Sequence, residues 1–262
     1  MGTRGSALAL AQAAEVRARL ARAHAALQAP DAIETVAIRT SGDAIGGRPL
    51  ADLGGKGLFA KEIEEALLDG RIDLAVHSLK DLPTFLPDGL AIAGHLPRED
   101  ARDGWFSPRA PRIAALPEGA TIGTSSPRRS AQLLHLRPDL RILPLRGNVE
   151  TRLRKVEAGE VDGTLLAMAG LKRLGLEGRI TAVLAPEEML PAAAQGAIGI
   201  EIRAADERVR ALVAAIDDAP TAARIAAERA VLAVLGGSCH TPIAALAEID
   251  AGASLRLRAM II

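Results

Sequence analysis

LFAKEIEEALLDGRIDLAVHSLKDLP, residues 58–83, is the stretch that decides the fold. Its first half, 58–70, places apolar residues on one face at helical spacing, and Gly70 offers a C-cap. IDLAVHS (72–78) is a short apolar run bounded by polar residues, which predicts a buried strand that KDLP (80–83) leaves. Upstream, IETVAIR (33–39) alternates and is rich in β-branched residues, so it predicts a second strand. Before it, Ser6 can cap a helix running from about Ala7 to Leu27. Strand, helix and strand in this order predict parallel α/β units. Between them SGDAIGGRPLADLGGKG (41–57) holds six glycines and reads as a mobile loop.

The pattern restarts after the charged, proline-rich segment 95–112, a natural place for a domain crossing. ATIGTSS (120–126) predicts a strand, PRRSAQLLHL (127–136) a helix with Pro127 at its first position, and LRILPLRG (140–147) a strand. VETRLRKVEAG (149–159) predicts a helix, VDGTLLA (161–167) a strand and AGLKRLGL (169–176) a short helix. A strand at 195–203 and a helix at 206–216 follow. The helix 221–237 then ends in a double glycine, and segments 243–250 and 254–262 alternate around DAGA as a hairpin.

Hydrophobic residues make up 49% of the chain, enough for real cores, but aromatics are 2% and tyrosine is absent. The cores are therefore aliphatic, and recognition of nucleic acid by base stacking is disfavoured. Lys plus Arg equals Asp plus Glu, 32 each, so no global field attracts a polyanion. One cysteine, Cys239, allows no internal disulfide, which fits a reducing compartment. No apolar run approaches a membrane span and the N-terminus does not read as a signal peptide, so the cytoplasm is the expected location.

Four constellations could carry chemistry. Ser78, Lys80 and Asp81 lie just past a strand's C-terminal end, where ligands bind in open α/β sheets. Alone, they read as a solvated turn. In GTSSPRRS (123–130), the hydroxyls of Thr124, Ser125 and Ser126, a helix start and Arg128 and Arg129 form an anion cradle. In LRGNVETRLRK (145–155), Arg146 ends a strand, Gly147 turns the chain, and Arg152 sits in a helix's first turn, opposing the helix dipole. Arg4 and Ser6 repeat this logic more weakly, and Gln195 sits in a small-residue loop. Arginines at loop–helix junctions of two α/β units suggest a cleft for a polycarboxylate or phosphate. No phosphate-loop or dinucleotide motif is present, and the five histidines show no metal spacing. Cys239 in LGGSCHTP (235–242) leaves three readings open: a buried spare thiol, a nucleophile or a covalent attachment point.

The ordered set TRGSALALAQ, LGGKGLFAKEIEEALLDGRIDLAVHSLKDLP, GTSSPRRSAQL, LRGNVETRLRK, LAMAGLKRLGL, LPAAAQGAIGIE and AERAVLAVLGGSCHTPI resembles the porphobilinogen deaminase (hydroxymethylbilane synthase) family. Each motif alone is weak, but in this order they cover most of the chain. The resemblance implies an α/β fold of two periplasmic-binding-protein-like domains, 1–96 with 197–216 and 100–192. A small, apparently truncated α+β domain, 219–262, follows. It implies a transferase that joins four porphobilinogens head to tail into hydroxymethylbilane with release of four ammonia. Asp81 would be catalytic, and Cys239 would hold a dipyrromethane cofactor through a thioether. Ser78, Lys80, Asp81, Thr124, Ser126, Arg128, Arg129, Arg146 and Gly147 would contact the cofactor. Arg4, Ser6, Arg146, Arg152, Arg173 and Gln195 would contact substrate. Asp43, Lys56 and Phe59 would belong to a lid. A monomer is implied, without metal, membrane or nucleic-acid partner.

Two departures stand at the ends. Family members begin with a strand before TRGS, whereas only Met1-Gly2 precede Thr3 here, so an edge or gap in the first sheet is expected. The family also continues past the second strand of the third domain, so that domain is expected to pack loosely. The competing readings are a truncated, inactive homologue and a non-enzymatic two-lobed anion-binding module. A simple anion receptor needs neither Asp81 nor Cys239.

Overall fold

A computed structural model describes residues 1–44, 59–237 and 241–262, with no side-chain description at 43 and 44. In chain order the elements are β1 (Gly2–Arg4), α1 (Ala7–Ala23), β2 (Val36–Ile38), α2 (Ser41–Ala44), α3 (Lys61–Leu68), β3 (Leu74–Ser78) and β4 (Leu90–His95). Then come β5 (Asp103–Phe106), β6 (Thr121–Gly123), α4 (Pro127–Leu136), β7 (Arg141–Leu143), α5 (Val149–Glu157), β8 (Gly163–Ala167), α6 (Met168–Arg173) and β9 (Ala182–Val183). The chain ends with β10 (Ile198–Arg203), α7 (Glu207–Ala214), α8 (Ala219–Val234), β11 (Ile243–Ile249) and β12 (Leu255–Ile261).

Packing divides the chain into two compact units, Met1–Glu99 with Ala197–Arg229, and Asp100–Gly196 with Ala230–Ile262. The stretch 219–262, expected as a domain of its own, is divided at Arg229. The first unit is built on a sheet of order β2-β1-β3-β10-β4, in which β1 is parallel to β2 and β3, and β10 runs antiparallel to both neighbours. One cluster joins Val16 and Leu20 of α1 to Val76, Ile198, Ile200 and Val213. Another joins Ile63 and Leu67 of α3 to Ile72 and Ala75. Helices packed against β3 on both sides explain why 72–78 reads as a continuous apolar run rather than an alternating one.

The second unit has the sheet order β7-β6-β8-β5-β9, with β6 parallel to β7 and β8, and β5 antiparallel to β8 and β9. Trp105, the chain's single tryptophan, is fully buried beside Ile122, Leu133 and Leu165, and its indole N–H donates to Ala110 O at 3.0 Å. A Cβ at Gly163 would overlap its ring, so the glycine is required by packing. The hairpin β11–β12 is antiparallel. Residues 243–247 of β11 are buried, Ala244 and Leu246 pack on Leu190, and Ala245 N donates to Pro191 O at 3.1 Å. β11 is therefore better packed than the sequence suggests, while β12 is largely exposed.

Two expectations are corrected. Gly2–Arg4 already forms a strand, with Gly2 paired to both Val36 and Ala75, so the expected gap in the first sheet is filled from residue 2 onward. The first helix ends at Ala23 rather than Leu27. There His24 leaves helical geometry and its Nε2 meets Leu212 O at 2.8 Å, and Ala25–Leu27 form a separate 3-10 turn. The segment 95–112, read as a crossing, holds the boundary between the two units at Glu99 and Asp100 and also contains β5, all four residues of which are buried. The loop expected at 41–57 begins with the short helix α2, and most of it lies outside the described residues.

Candidate active site

In the first unit the site grows from the C-terminal edge of the parallel strands. β1 delivers Arg4, and the chain turns directly into α1, whose start Ser6 caps by accepting from Ala9 N at 3.2 Å. β3 delivers Ser78, whose hydroxyl donates to Gln12 Oε1 at 2.9 Å. The chain then tightens into a 3-10 turn, Leu79–Asp81. Leu79 anchors that turn: its N–H donates to Ala197 O at 3.1 Å, and its buried side chain occupies the space that a Cβ at Gly199 would need.

Arg4, Ser6, Gln12, Phe59, Ser78 and Asp81 all line one small cavity of about 60 Å³. The Arg4 guanidinium lies 4.2 Å from the centre of the Phe59 ring, a cation–π contact that orients it. Asp81 is half-buried, and among the described residues its carboxylate has no hydrogen-bond or ion-pair partner. A carboxylate held that way can accept a proton or face a cationic ligand without first giving up a protein partner. Lys80 is half-buried and engaged within the protein.

His77 also lines this cavity, and its Nε2 lies 3.0 Å from Glu201 Oε2. Glu201 is fully buried, and Glu64 is nearly so. Among the described residues, one oxygen of each carboxylate lacks a hydrogen-bond partner. Burial, with the Glu201 charge beside it, pushes the Glu64 carboxyl up to about 7. Neither Gln12 nor this trio was singled out in the sequence, because β10 brings Glu201 to His77 across 124 residues.

The second unit repeats the geometry. Thr124 and Ser126 follow β6. Ser126 caps α4 through Arg129 N at 3.4 Å, and its own N–H donates to the buried Thr124 hydroxyl at 3.2 Å. Arg146 and Gly147 follow β7. Gly147 has φ 114°, and Asn148 caps α5 by accepting from Thr151 N at 2.8 Å. Arg146 is half-buried and makes no ion pair or hydrogen bond among the described residues. The Arg152 guanidinium turns back to Gly147 O at 2.9 Å, and Arg173, at the end of α6, donates to Gly196 O at 3.2 Å.

The open cradle expected at 123–130 is corrected. Arg128 and Arg129 are 4% and 6% exposed, and both guanidinia close on Asp103, which is fully buried. Arg128 Nη2 lies 2.7 Å and Arg129 Nη2 2.6 Å from its oxygens, and Gln195 Nε2 donates to the same carboxylate at 2.8 Å. Burial by itself would raise the Asp103 carboxyl, but the two guanidinia outweigh it and hold the group far below the usual carboxylate range. Three residues expected to face a ligand are thus organised by an acid hidden in the segment read as a crossing. Arg128 Nε is buried without a partner among the described residues. Lys56 and Cys239 lie outside the described residues, as does the side chain of Asp43.

Among the described residues no group of three or more His, Cys, Asp or Glu could hold a metal, and no helix is long and apolar enough to cross a membrane.

Residues 1–211 match the family profile described as porphobilinogen deaminase, dipyromethane cofactor binding domain, and residues 222–262 match its C-terminal domain. The chain is 59% identical over 262 residues to the porphobilinogen deaminase of Nitrobacter hamburgensis and 56% identical to that of Paracoccus denitrificans. It covers 82% and 83% of those proteins. It is 50% identical over 261 residues to the chloroplastic enzyme of Oryza sativa, covering 73% of it. Among solved structures, the fold is similar to that of immunogenic lipoprotein A from Vibrio vulnificus. The TM-score is 0.51 at 18% identity, over 87% of this chain and 98% of that one.

Proposed function

The chain belongs to the porphobilinogen deaminase family, and on that premise we propose that it joins four porphobilinogen molecules head to tail into hydroxymethylbilane, releasing four ammonia. The structural observation that carries the reading is Asp81. Its carboxylate, without a hydrogen-bond or ion-pair partner among the described residues, lines a cavity with Arg4, Ser6 and Ser78, at the strand ends where the fold places ligands.

The residues suit an acidic oligopyrrole primer. Arg4 and Arg146 offer cations for acetate and propionate groups, and Ser6 and Ser78 offer hydroxyls beside Asp81. Among the described residues, Arg128 keeps a buried Nε without a partner. When bound, dipyrromethane supplies the nucleophilic terminal pyrrole carbon. Asp81 then has two tasks. As porphobilinogen loses ammonia, its carboxylate stabilises the cationic electrophile left behind. It would also take up the proton that the nucleophilic pyrrole ring gives up on coupling.

In this reading Cys239 anchors the primer as a thioether, so the growing chain stays bound through four additions. Arg4, Ser6, Arg146, Arg152, Arg173 and Gln195 hold substrate, directly or through Asp103. Asp43, Lys56 and Phe59 belong to a lid. The domains are 1–96 with 197–216, 100–192 and 219–262. The protein works as a cytoplasmic monomer in tetrapyrrole synthesis, without nucleic-acid or membrane partners.

Intact-mass spectrometry with Ehrlich's reagent tests this. The purified chain should carry two linked pyrrole units on the Cys239 peptide, and Cys239→Ser should carry none. An unmodified chain that still fails to load after refolding with hydroxymethylbilane would favour an inactive homologue.

A further inference from the structure

Arg229 is a half-buried cation whose hydrogen bonds among the described residues go to main-chain carbonyls. It lies in the part of α8 that belongs to the first unit. Its Nη1 donates to Leu82 O at 3.3 Å, and its Nη2 to Pro83 O at 2.5 Å and Thr84 O at 3.0 Å. Among the described residues no carboxylate forms a salt bridge with it. Desolvation lowers its affinity for the proton, and the charge of Glu201 opposes that shift. A guanidinium in this position costs more than an apolar side chain of the same size, so packing alone does not explain it.

Its three acceptors are consecutive, and they begin immediately after Asp81. Residues 82–84 belong to no strand, and Pro83 has no N–H to donate. Upstream of Asp81 the turn is fixed by Leu79, through Ala197 O and the space left at Gly199. Downstream, Arg229 is the anchor. Its helix is itself held: Arg98 makes a two-pronged pair with Glu228 at 2.5 and 3.0 Å, and Arg98 N donates to Thr221 Oγ1 at 2.9 Å.

We propose that Arg229 is a positioning residue for Asp81, gripping the carbonyls of Leu82, Pro83 and Thr84 so that the turn aims the Asp81 carboxylate into its cavity. The inference rests on Asp81 being the reacting carboxylate. A misplacement of about 1 Å at a reacting group costs roughly a hundredfold in rate. Lysine brings one nitrogen on a flexible stem and can hold only part of the three-carbonyl grip.

The test measures kcat and KM for porphobilinogen in wild type, Arg229→Met and Arg229→Lys, per mole of folded protein carrying the pyrrole adduct. The expected result is a kcat about a hundredfold lower in Arg229→Met, an unchanged KM, and partial recovery in Arg229→Lys. Wild-type kcat per loaded molecule in Arg229→Met overturns the inference. If Arg229→Met does not fold, Arg229→Lys decides: a lowered kcat at unchanged KM supports the grip, and a wild-type kcat refutes it. A wild-type chain without turnover overturns the functional reading and this inference with it. Equal turnover in wild type and variant overturns the inference alone.

Discussion

Replacing Asp103 by asparagine keeps the shape of a fully buried side chain and removes its charge. The carboxylate is held by Arg128 Nη2 at 2.7 Å, by Arg129 Nη2 at 2.6 Å and Nε at 3.3 Å, and by Gln195 at 2.8 Å. The amide would leave two guanidinia, 4% and 6% exposed, without a counter-charge, and would turn an N–H pair toward donors. Removing one partner of a buried ion pair costs about 3–5 kcal/mol. For a chain of this size each kcal/mol lowers Tm by about 2–4 °C, so the variant should melt roughly 6–20 °C below wild type. The pH dependence has a definite sign. The folded-state pKa of Asp103 is depressed below the ordinary 3.8, so its contribution is complete above that value and is lost as pH falls through the folded pKa. The gap between wild type and variant should therefore hold steady from neutral pH down to about 4 and close only below it. Thermal unfolding followed by far-UV circular dichroism at several pH values reads both quantities. A variant melting within about 2 °C of wild type at pH 7, or a gap that closes by about pH 6, would refute the reasoning.

Three further outcomes are expected. Asp81→Asn should lower kcat by at least about a hundredfold while the pyrrole adduct remains visible by mass; turnover at the wild-type rate would remove Asp81 from the chemistry. Glu64 has a raised folded pKa, so the wild type should lose stability as pH rises from about 4.5 through about 7. Glu64→Gln should flatten that fall, by an amount on the order of 1–3 kcal/mol, and parallel urea midpoints for both proteins across this window would contradict the buried-acid assignment. Gly163→Ala drives a methyl into the Trp105 ring and should cost about 1–3 kcal/mol, read as a lower urea midpoint with a blue- or red-shifted tryptophan emission.

The helix 127–136 was legible to the residue, because Ser126 and Pro127 mark its start and an apolar face runs its length. The buried strand at 72–78 and the hairpin were legible for the same kind of reason, since burial on a sheet imprints itself on consecutive residues. Arg4 with Ser6, and Ser78 with Asp81, were legible as separate strand-end groups, but that all four line one cavity came from the fold. β5 was not legible: DGWF is short, and its Asp103 looked like one more loop acid among prolines and charges. What made that aspartate central was the approach of Arg128, Arg129 and Gln195 from 25, 26 and 92 residues away. The same holds for Glu201 against His77 and for Arg229 against 82–84. Local pattern records which face of an element is buried and where the chain turns. It does not record which buried charge meets which, because that pairing is settled by desolvation once distant segments are brought together. Local pattern yields the α/β class, the family and the strand-end residues; the meeting of distant segments settles which cations stay exposed to a ligand and which are held by the protein's own acids and carbonyls.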